Sequence, residues 1–397
     1  MLPRPKAAAR SLQQPHPMPA FTDFDLLPSL QTTLAEQELT TPTEIQSRAI
    51  PILLAGRSVV GVSETGSGKT LAYALPLLHA LKTLEDQGQA VSHSGKPRAV
   101  VLVPTRELGE QVARVFKKFT HSVRLRVRTV LGGTKLEVAK TNVSGPFEVL
   151  VATTGRMLKL LEQGTINLSD VRTLVFDEAD RMLDAGFLAD AEHIVDACPP
   201  ARQLAMFSAT VSVAVQALIK NRFQTAEVVR SSGSHRTVAT LTTVNRTVDG
   251  GKRLPLLQQV LSEKVNGGTL MFANTREQCD ALAAEVAQLG VACTIYRGEM
   301  DKIERRKNLE LFRDGEAAIL ISTDLASRGL DIEHVARVVN YHLPVEIENY
   351  IHRVGRTARA GRPGLVVNFV TERDEPWMLK VEKLRTAPPS GKASSRG

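Results

Sequence analysis

Cysteine is scarce. The 397-residue chain has three, Cys198, Cys279 and Cys293, too few and too scattered for a disulfide framework or a zinc site. A reducing compartment fits that usage. Aromatic residues make up only 4% of the chain, so stacking on a platform of rings is not expected to dominate any nucleic-acid binding. No uncharged apolar run reaches the roughly 18 residues that a membrane-crossing helix needs. Met1 to Ala20 has Pro and basic residues but no apolar segment of the secretory type. What remains is globular: 43% hydrophobic residues and 27 Gly. At this length two cores are expected rather than one. Lys and Arg number 50 against 42 Asp and Glu, a formal charge of +8. A basic surface suits a polyanion, most often nucleic acid, although a generically basic soluble protein has the same balance.

Short apolar runs alternate with helical-looking stretches from about residue 45 onward. Strands are expected at Ser58–Val62, Ala99–Val103, Val127–Leu131, Glu148–Ala152, Thr173–Asp177 and Leu204–Ser208. A second set is expected at Thr269–Ala273, Val291–Tyr296, Ala318–Ser322, Ala336–Tyr341 and Leu365–Val370. Most are continuously apolar, which is how strands of a parallel sheet covered on both faces read. Strand, turn and helix in series imply right-handed βαβ units. The expected fold is α/β: two domains, each a mostly parallel sheet with helices on both faces. The polar stretch Arg230 to Gly251 ends in Asp249-Gly250-Gly251, and residues 230–250 are expected to be the linker. The domains are then 21–229 and 251–386, with an extension over 1–20 and a disordered tail over 387–397.

Ser58–Val62 leads into Ser63-Glu64-Thr65-Gly66-Ser67-Gly68-Lys69-Thr70, then a helical stretch. Strand, glycine-bearing loop and helix form a phosphate cradle: the glycines bring backbone N–H groups inward and the helix N-terminus adds its dipole. Lys69 is placed to reach the β- and γ-phosphates, and the Thr70 hydroxyl to ligate Mg²⁺. Ser63 stands where the generic pattern asks for Gly. A Gly/Ser turn before a helix would look similar, but the flanking strand and helix favour the phosphate site. A second strand, Thr173-Leu174-Val175-Phe176, runs into Asp177-Glu178-Ala179-Asp180. Asp177 at the strand tip can hold Mg²⁺ through water, and Glu178 can orient and deprotonate an attacking water. Alone, such a cluster could equally be a solvated acidic loop.

With both motifs in one chain, the sequence resembles the DEAD-box ATP-dependent RNA helicases over roughly Phe21 to Val370. The resemblance implies two RecA-like domains that close on ATP and RNA together. It implies that Gln46, in Pro42-Thr43-Glu44-Ile45-Gln46, reads adenine, with Phe21 packing on the base. Glu38-Leu39 stands where the family has a Gly-aromatic pair. By resemblance, Pro104, Thr105, Arg106, Gly132, Gly133, Thr153 and Arg156 bind the RNA backbone. Thr154 replaces a proline there, which would loosen that loop. Ser208 and Thr210 would couple the acid cluster to the second domain.

In the second half, Asn274, Thr275, Arg297, Gly298, Thr323 and Gly329 are implied RNA contacts, and Asp331 the contact to the ribose of ATP. Lys302 replaces a usual Gln. His352-Arg353-Val354-Gly355-Arg356-Thr357-Ala358-Arg359 matches the family's last motif, with Ala358 where Gly is usual. His352 and Arg353 would serve interdomain coupling. Arg356 and Arg359, spaced to share one helical turn, would bring guanidinium groups to the γ-phosphate. With Lys69, Asp177 and Glu178 they form the catalytic set.

The implied activity is RNA-stimulated ATP hydrolysis, with ATP and Mg²⁺, coupled to local opening of short RNA duplexes. An alternative is an ATP-dependent RNA clamp or ribonucleoprotein-remodelling factor with little unwinding. A monomer is expected, with RNA and ribonucleoprotein or ribosome-assembly partners, in the cytoplasm and off the membrane.

Overall fold

A computed structural model of the protein describes residues 19–64, 66–231, 241–298, 300–324, 332, 335–358 and 363–386. Among these, two parallel sheets stand in two α/β domains. The first has seven strands, in the order β3 (Val127–Val130), β4 (Val149–Thr153), β2 (Ala99–Val103), β5 (Thr173–Asp177), β6 (Gln203–Ser208), β1 (Val59–Val62) and β7 (Glu227–Arg230). The second has six: β10 (Cys293–Tyr296), β11 (Ile319–Ser322), β9 (Gly268–Phe272), β12 (Val335–Asn340), β13 (Gly364–Val370) and β8 (Leu241–Thr247).

The continuous apolar runs have a direct cause. Successive side chains of a strand point to opposite faces, and both faces are covered. In β2, Ala99, Val101 and Val103 join one core cluster while Val100 and Leu102 join another. In the second domain Met271 and Ile321 serve one cluster, Leu270, Phe272 and Leu320 its opposite. Each sheet is therefore sandwiched between two apolar layers.

The predicted strands form, with ends moved by one or two residues. Two strands escaped the pattern, and both lie at sheet edges. The stretch 230–250 is not a plain linker: Leu241–Thr247 pairs in parallel with β13, and Arg230 closes β7. The second domain thus begins some ten residues before 251. Both edge strands are polar or half-exposed because one flank lacks a neighbour, so they lack the apolar signature of the central strands.

Parallel strands put all their C-terminal ends on one side, where open α/β sheets bind ligands. Register does the rest. Val62 lies opposite Ser208, and Phe207 opposite Asp177. Three loops that lie far apart in the chain thereby meet above β1, β5 and β6. Helix α3 (Lys69–Asp86) starts directly after the glycine loop.

Candidate active site and nucleic-acid interface

The glycine loop stands between β1 and α3, as the spacing predicts. Gly68 has φ 87°, a conformation L-residues rarely adopt, and a Cβ there would strike the Gln46 amide. Gln46 caps its own helix, α2 (Glu44–Leu54): its Oε1 accepts from Thr43 N at 2.8 Å. Its Nε2 donates to Gly68 O at 3.0 Å. One amide thus ties the start of α2 to the glycine loop. Lys69 is buried, and its Nζ donates to Ser63 O at 2.8 Å and Glu64 O at 3.0 Å. Burial lowers its pKa, against the pull of Glu178, Asp177 and Asp180. Ser63, at the position of the missing glycine, is fully buried, and its hydroxyl lies 2.6 Å from Ser67 Oγ. A hydroxyl therefore braces the loop there. Burial pushes the Glu64 carboxyl up to about 7, against the attraction of Lys69.

Asp177 is buried at the tip of β5. Its Oδ1 accepts from Glu178 N at 2.9 Å and its Oδ2 from the Tyr73 hydroxyl at 2.7 Å. Burial and then repulsion by Glu178 raise its carboxyl to about 6. Tyr73 was not anticipated. It lies one helical turn after Lys69, among Phe116 and Phe207. Thr70 and Asp177 are the two oxygen donors expected for Mg²⁺. Among the described residues no group of three His, Cys, Asp or Glu could cage a metal. A hard-oxygen pair of this kind fits Mg²⁺ carried in with phosphates and water.

Glu178 adopts φ 50° and ψ 50°, left-handed for a non-glycine, at the start of helix α7 (Ala179–Asp184). Asp180 is more central than the sequence reading made it. Its Oδ2 accepts from Thr210 N at 2.8 Å, Thr210 Oγ1 at 2.9 Å and Ala209 N at 3.2 Å, and lies 3.8 Å from His352 Nε2. Burial works against an ionised Asp180, but its basic neighbours His352, Arg181 and Lys69 and the Thr210 amide outweigh it and hold its carboxyl below the usual range. Ser208 Oγ accepts from Asp180 N at 3.1 Å. Ser208, Thr210 and His352 do meet at a domain joint, through Asp180.

Arg353 does not reach that joint. It is buried inside the second domain, paired with Asp324 at 2.5 and 2.7 Å and bonded to Asn340, His342 O and Asn274. Its guanidinium also lies 4.9 Å from the Phe272 ring centre. A buried charge needs such a full set of partners, so Arg353 is a strut of its own domain. Asn274 is part of the strut: its Oδ1 faces Arg353 and its Nδ2 donates to Leu343 O at 2.9 Å. Its side chain is therefore engaged within the second domain. Phe21 also departs from expectation: it packs in the core against Phe24, with only its backbone tied to Thr40 O at 3.1 Å.

Helix α13 (Ile347–Val354) ends before Arg356. Arg356 lies beyond its end and Ala358 has φ 55°, so the described part of the stretch expected to be a helical turn is not helical. Arg356 is buried, its Nε donating to His352 O at 3.3 Å. Thr65, Gly329, Asp331 and Arg359 lie outside the described residues, as does the side chain of Lys302.

A second cleft, of about 580 Å³, runs between the domains. It is lined from the first domain by Pro104, Arg106, Gly132, Gly133, Thr153 and Arg156, and from the second by Gly298 and Arg305. Sequence reasoning missed Lys159, Phe187, Met300 and the Glu107–Arg305 ion pair, which spans the two domains here. Several predicted residues have partners within the protein. Thr105 caps helix α4 (Arg106–Val123) and Thr275 caps helix α11 (Arg276–Gln288). Thr153 Oγ1 accepts from Gly132 N at 3.0 Å, so that amide is engaged inside the protein rather than offered to phosphate. Arg156 donates to Thr134 O, and Arg297 pairs with Asp280 at 3.1 Å. Thr154 is not in a loosened loop. It is the buried first residue of helix α6 (Thr154–Glu162), where a proline is also accommodated. Thr323 directly follows β11.

The family model described as "DEAD/DEAH box helicase" matches residues 43–218, and that for the "Helicase conserved C-terminal domain" matches 252–361. The chain is 33% identical over 365 residues to the DEAD-box ATP-dependent RNA helicase RhpA of Helicobacter pylori, covering 92% of this chain and 72% of that one. It is 34% identical over 355 residues to the ATP-dependent RNA helicase RhlB of Psychromonas ingrahamii, with 89% and 84% covered. The solved structure of S. cerevisiae Dbp5 bound to RNA and ADP BeF3 superposes with a TM-score of 0.80 at 27% identity, over 92% of this chain and 93% of that one.

Proposed function

The chain belongs to the DEAD-box RNA helicases, and from that premise we propose that it hydrolyses ATP when RNA is bound and locally opens short RNA duplexes. The observation that carries the reading is that both clefts are bipartite. The acid cluster meets the second domain at His352, and the basic cleft takes walls from both domains. Each ligand that favours the closed arrangement then favours the other.

In this reading Lys69 leaves the carbonyls of Ser63 and Glu64 for the phosphates of ATP, and Gln46 holds adenine beside the loop. Thr70 and Asp177 would hold Mg²⁺, the latter through water, and the bound ion would neutralise charge on the phosphate oxygens. Glu178 takes the proton of the attacking water. Arg356, with Arg359, offers positive charge to the γ-phosphate as it leaves, an effect worth roughly a thousandfold or more in rate. Asp331 is assigned the ribose. RNA lies along Pro104–Arg106, Gly132, Gly133, Thr153, Arg156 and Gly298, contacted mainly through sugar and phosphate, which sets register without reading sequence. A cleft that takes one strand excludes a continuous duplex, so a few base pairs open without travel along the RNA. Ribonucleoprotein partners, a monomeric state and a cytoplasmic location complete the reading; no helix among the described residues is long and apolar enough to cross a membrane.

The test is phosphate release by the full chain with and without single-stranded RNA, alongside displacement of a short RNA strand. Both are expected to depend on ATP. Glu178→Gln is expected to bind ATP and RNA yet hydrolyse slowly. Turnover indifferent to RNA, or normal turnover in Glu178→Gln, overturns the proposal. ATPase without strand displacement would leave a clamp.

A further inference from the structure

Helix α7 carries a buried arginine that the mechanism above does not use. Arg181 is 3% exposed, among the buried Ala179, Met182 and Leu183. Its guanidinium faces two domains at once. Nη1 donates to Glu178 Oε2 at 2.6 Å. Nη2 lies 3.2 Å from Nδ1 of His352, in the second domain. Its Nε has no partner among the described residues, so the two Nη contacts carry the pairing.

Arginine offers only donors. Its contact with His352 is therefore a hydrogen bond only when Nδ1 is bare and the imidazole proton sits on Nε2, the edge that faces Asp180 Oδ2 at 3.8 Å. One chain of contacts results, Glu178, Arg181 and His352, with the Asp180 carboxylate 3.8 Å beyond it. Glu178 and Arg181 stand on the first domain and His352 on the second. A guanidinium withdrawn from water depends on every partner it has. Separating the domains removes His352 and leaves Arg181 with Glu178 alone.

We propose that Arg181 is a positioning residue that couples domain closure to the direction of the Glu178 carboxylate. Held between His352 and Glu178, it fixes Oε2 and leaves Oε1 to face the attacking water. In the separated state the Arg181–Glu178 pair has no second anchor, and the carboxylate loses its fixed direction. The planar fork matters, because its two Nη atoms reach different partners, which the single ammonium of lysine does not reproduce. The inference rests on the reading of Glu178 as the base.

The test uses the full chain and a single-stranded RNA homopolymer, with kcat and the KM for ATP measured for Arg181→Gln, Arg181→Lys, His352→Gln and the Arg181→Gln/His352→Gln double variant. Arg181→Gln is expected to lower RNA-saturated kcat about tenfold or more with KM within about twofold, the mark of an interaction felt in the transition state. The double variant is expected to be no slower than the slower single one, because both break the same chain. Arg181→Lys keeps the buried charge and is expected to recover thermal stability without recovering RNA stimulation. It decides the matter if Arg181→Gln unfolds at the assay temperature. Losses that multiply in the double variant, or full RNA stimulation in Arg181→Lys, overturn the proposal. Wild-type turnover that ignores RNA would instead overturn the functional reading. Normal wild-type stimulation together with a normal Arg181→Gln overturns only the role of Arg181.

Discussion

Replacing Tyr73 by Phe removes one oxygen and leaves the ring in place between Phe116 and Phe207. That oxygen donates to Asp177 Oδ2 at 2.7 Å, in a site where neither side chain meets water. A hydrogen bond to a charged group contributes about 1.5–3 kcal/mol. Asp177 keeps its second tether, Glu178 N to Oδ1 at 2.9 Å, so the lower end applies. At about 1.4 kcal/mol per factor of ten, the loss is roughly tenfold. It should appear where the orientation of Asp177 matters. The donor also helps to lower the Asp177 pKa, so its removal lifts that carboxyl above about 6. A larger share is then protonated near neutrality and unfit to hold a cation. The assay is RNA-stimulated phosphate release against Mg²⁺ concentration. The Mg²⁺ midpoint is expected to rise and kcat to fall by about tenfold, with ATP-dependent RNA binding retained at high Mg²⁺. An unchanged midpoint and unchanged kcat would show that Tyr73 does not orient Asp177.

Glu38 is exposed at φ 56°, where the family has glycine. Glu38→Gly relieves about 1–2 kcal/mol of left-handed strain and gives back about 0.4–1 kcal/mol in unfolded-chain freedom. Urea unfolding should therefore show a gain of about 0.5–1 kcal/mol, and a loss refutes the strain. Ala358→Gly meets the same two opposing effects plus the loss of a buried methyl, about 0.8 kcal/mol. A change near zero is expected in the same assay, and a large gain would mean that the methyl is not packed. Glu64 has its pKa raised from 4.5 to about 7. The folded state then binds the proton more tightly than the unfolded chain, so this group's contribution to stability falls as pH rises from about 4.5 to about 7. Glu64→Gln is expected to flatten stability over that window, and an unaltered pH profile refutes the shift. Glu107→Gln frees Arg305 at the interdomain cleft. RNA binding should tighten, with the salt slope steeper by roughly 0.7 for one more phosphate contact. Unchanged affinity means that Arg305 does not meet RNA.

Much of this protein could be read from short segments because their function is local. A phosphate loop needs consecutive residues, so Gly66, Ser67, Gly68, Lys69 and Thr70 announce it. Central strands buried on both faces are apolar throughout, so they stand out. The edge strands Glu227–Arg230 and Leu241–Thr247 do not, because an unpaired flank tolerates polar residues. Arg353 shows the limit of motif reading. Its place in the final motif suggested a joint, yet Asp324, Asn340 and Asn274 hold it within one domain. Arg181 shows the reverse. It sits one residue beyond a legible motif, and its only local signal is a charge inside the otherwise buried turn of α7.

Chain order alone thus determined the family and that two parallel-sheet domains carry its motifs, among them the loop expected to bind phosphate and the carboxylates expected to act. Which side chains touch was decided by folding. Strand register set Val62 beside Ser208 and Phe207 beside Asp177, across roughly 145 and 30 positions of chain. The packing of α3 on the sheet brought Tyr73 to Asp177, and the packing of one domain on the other brought Arg181 to His352. Spacing along a chain constrains neighbours within a turn or two. Contacts between distant residues depend on how layers pack, and that information is spread over the whole apolar core.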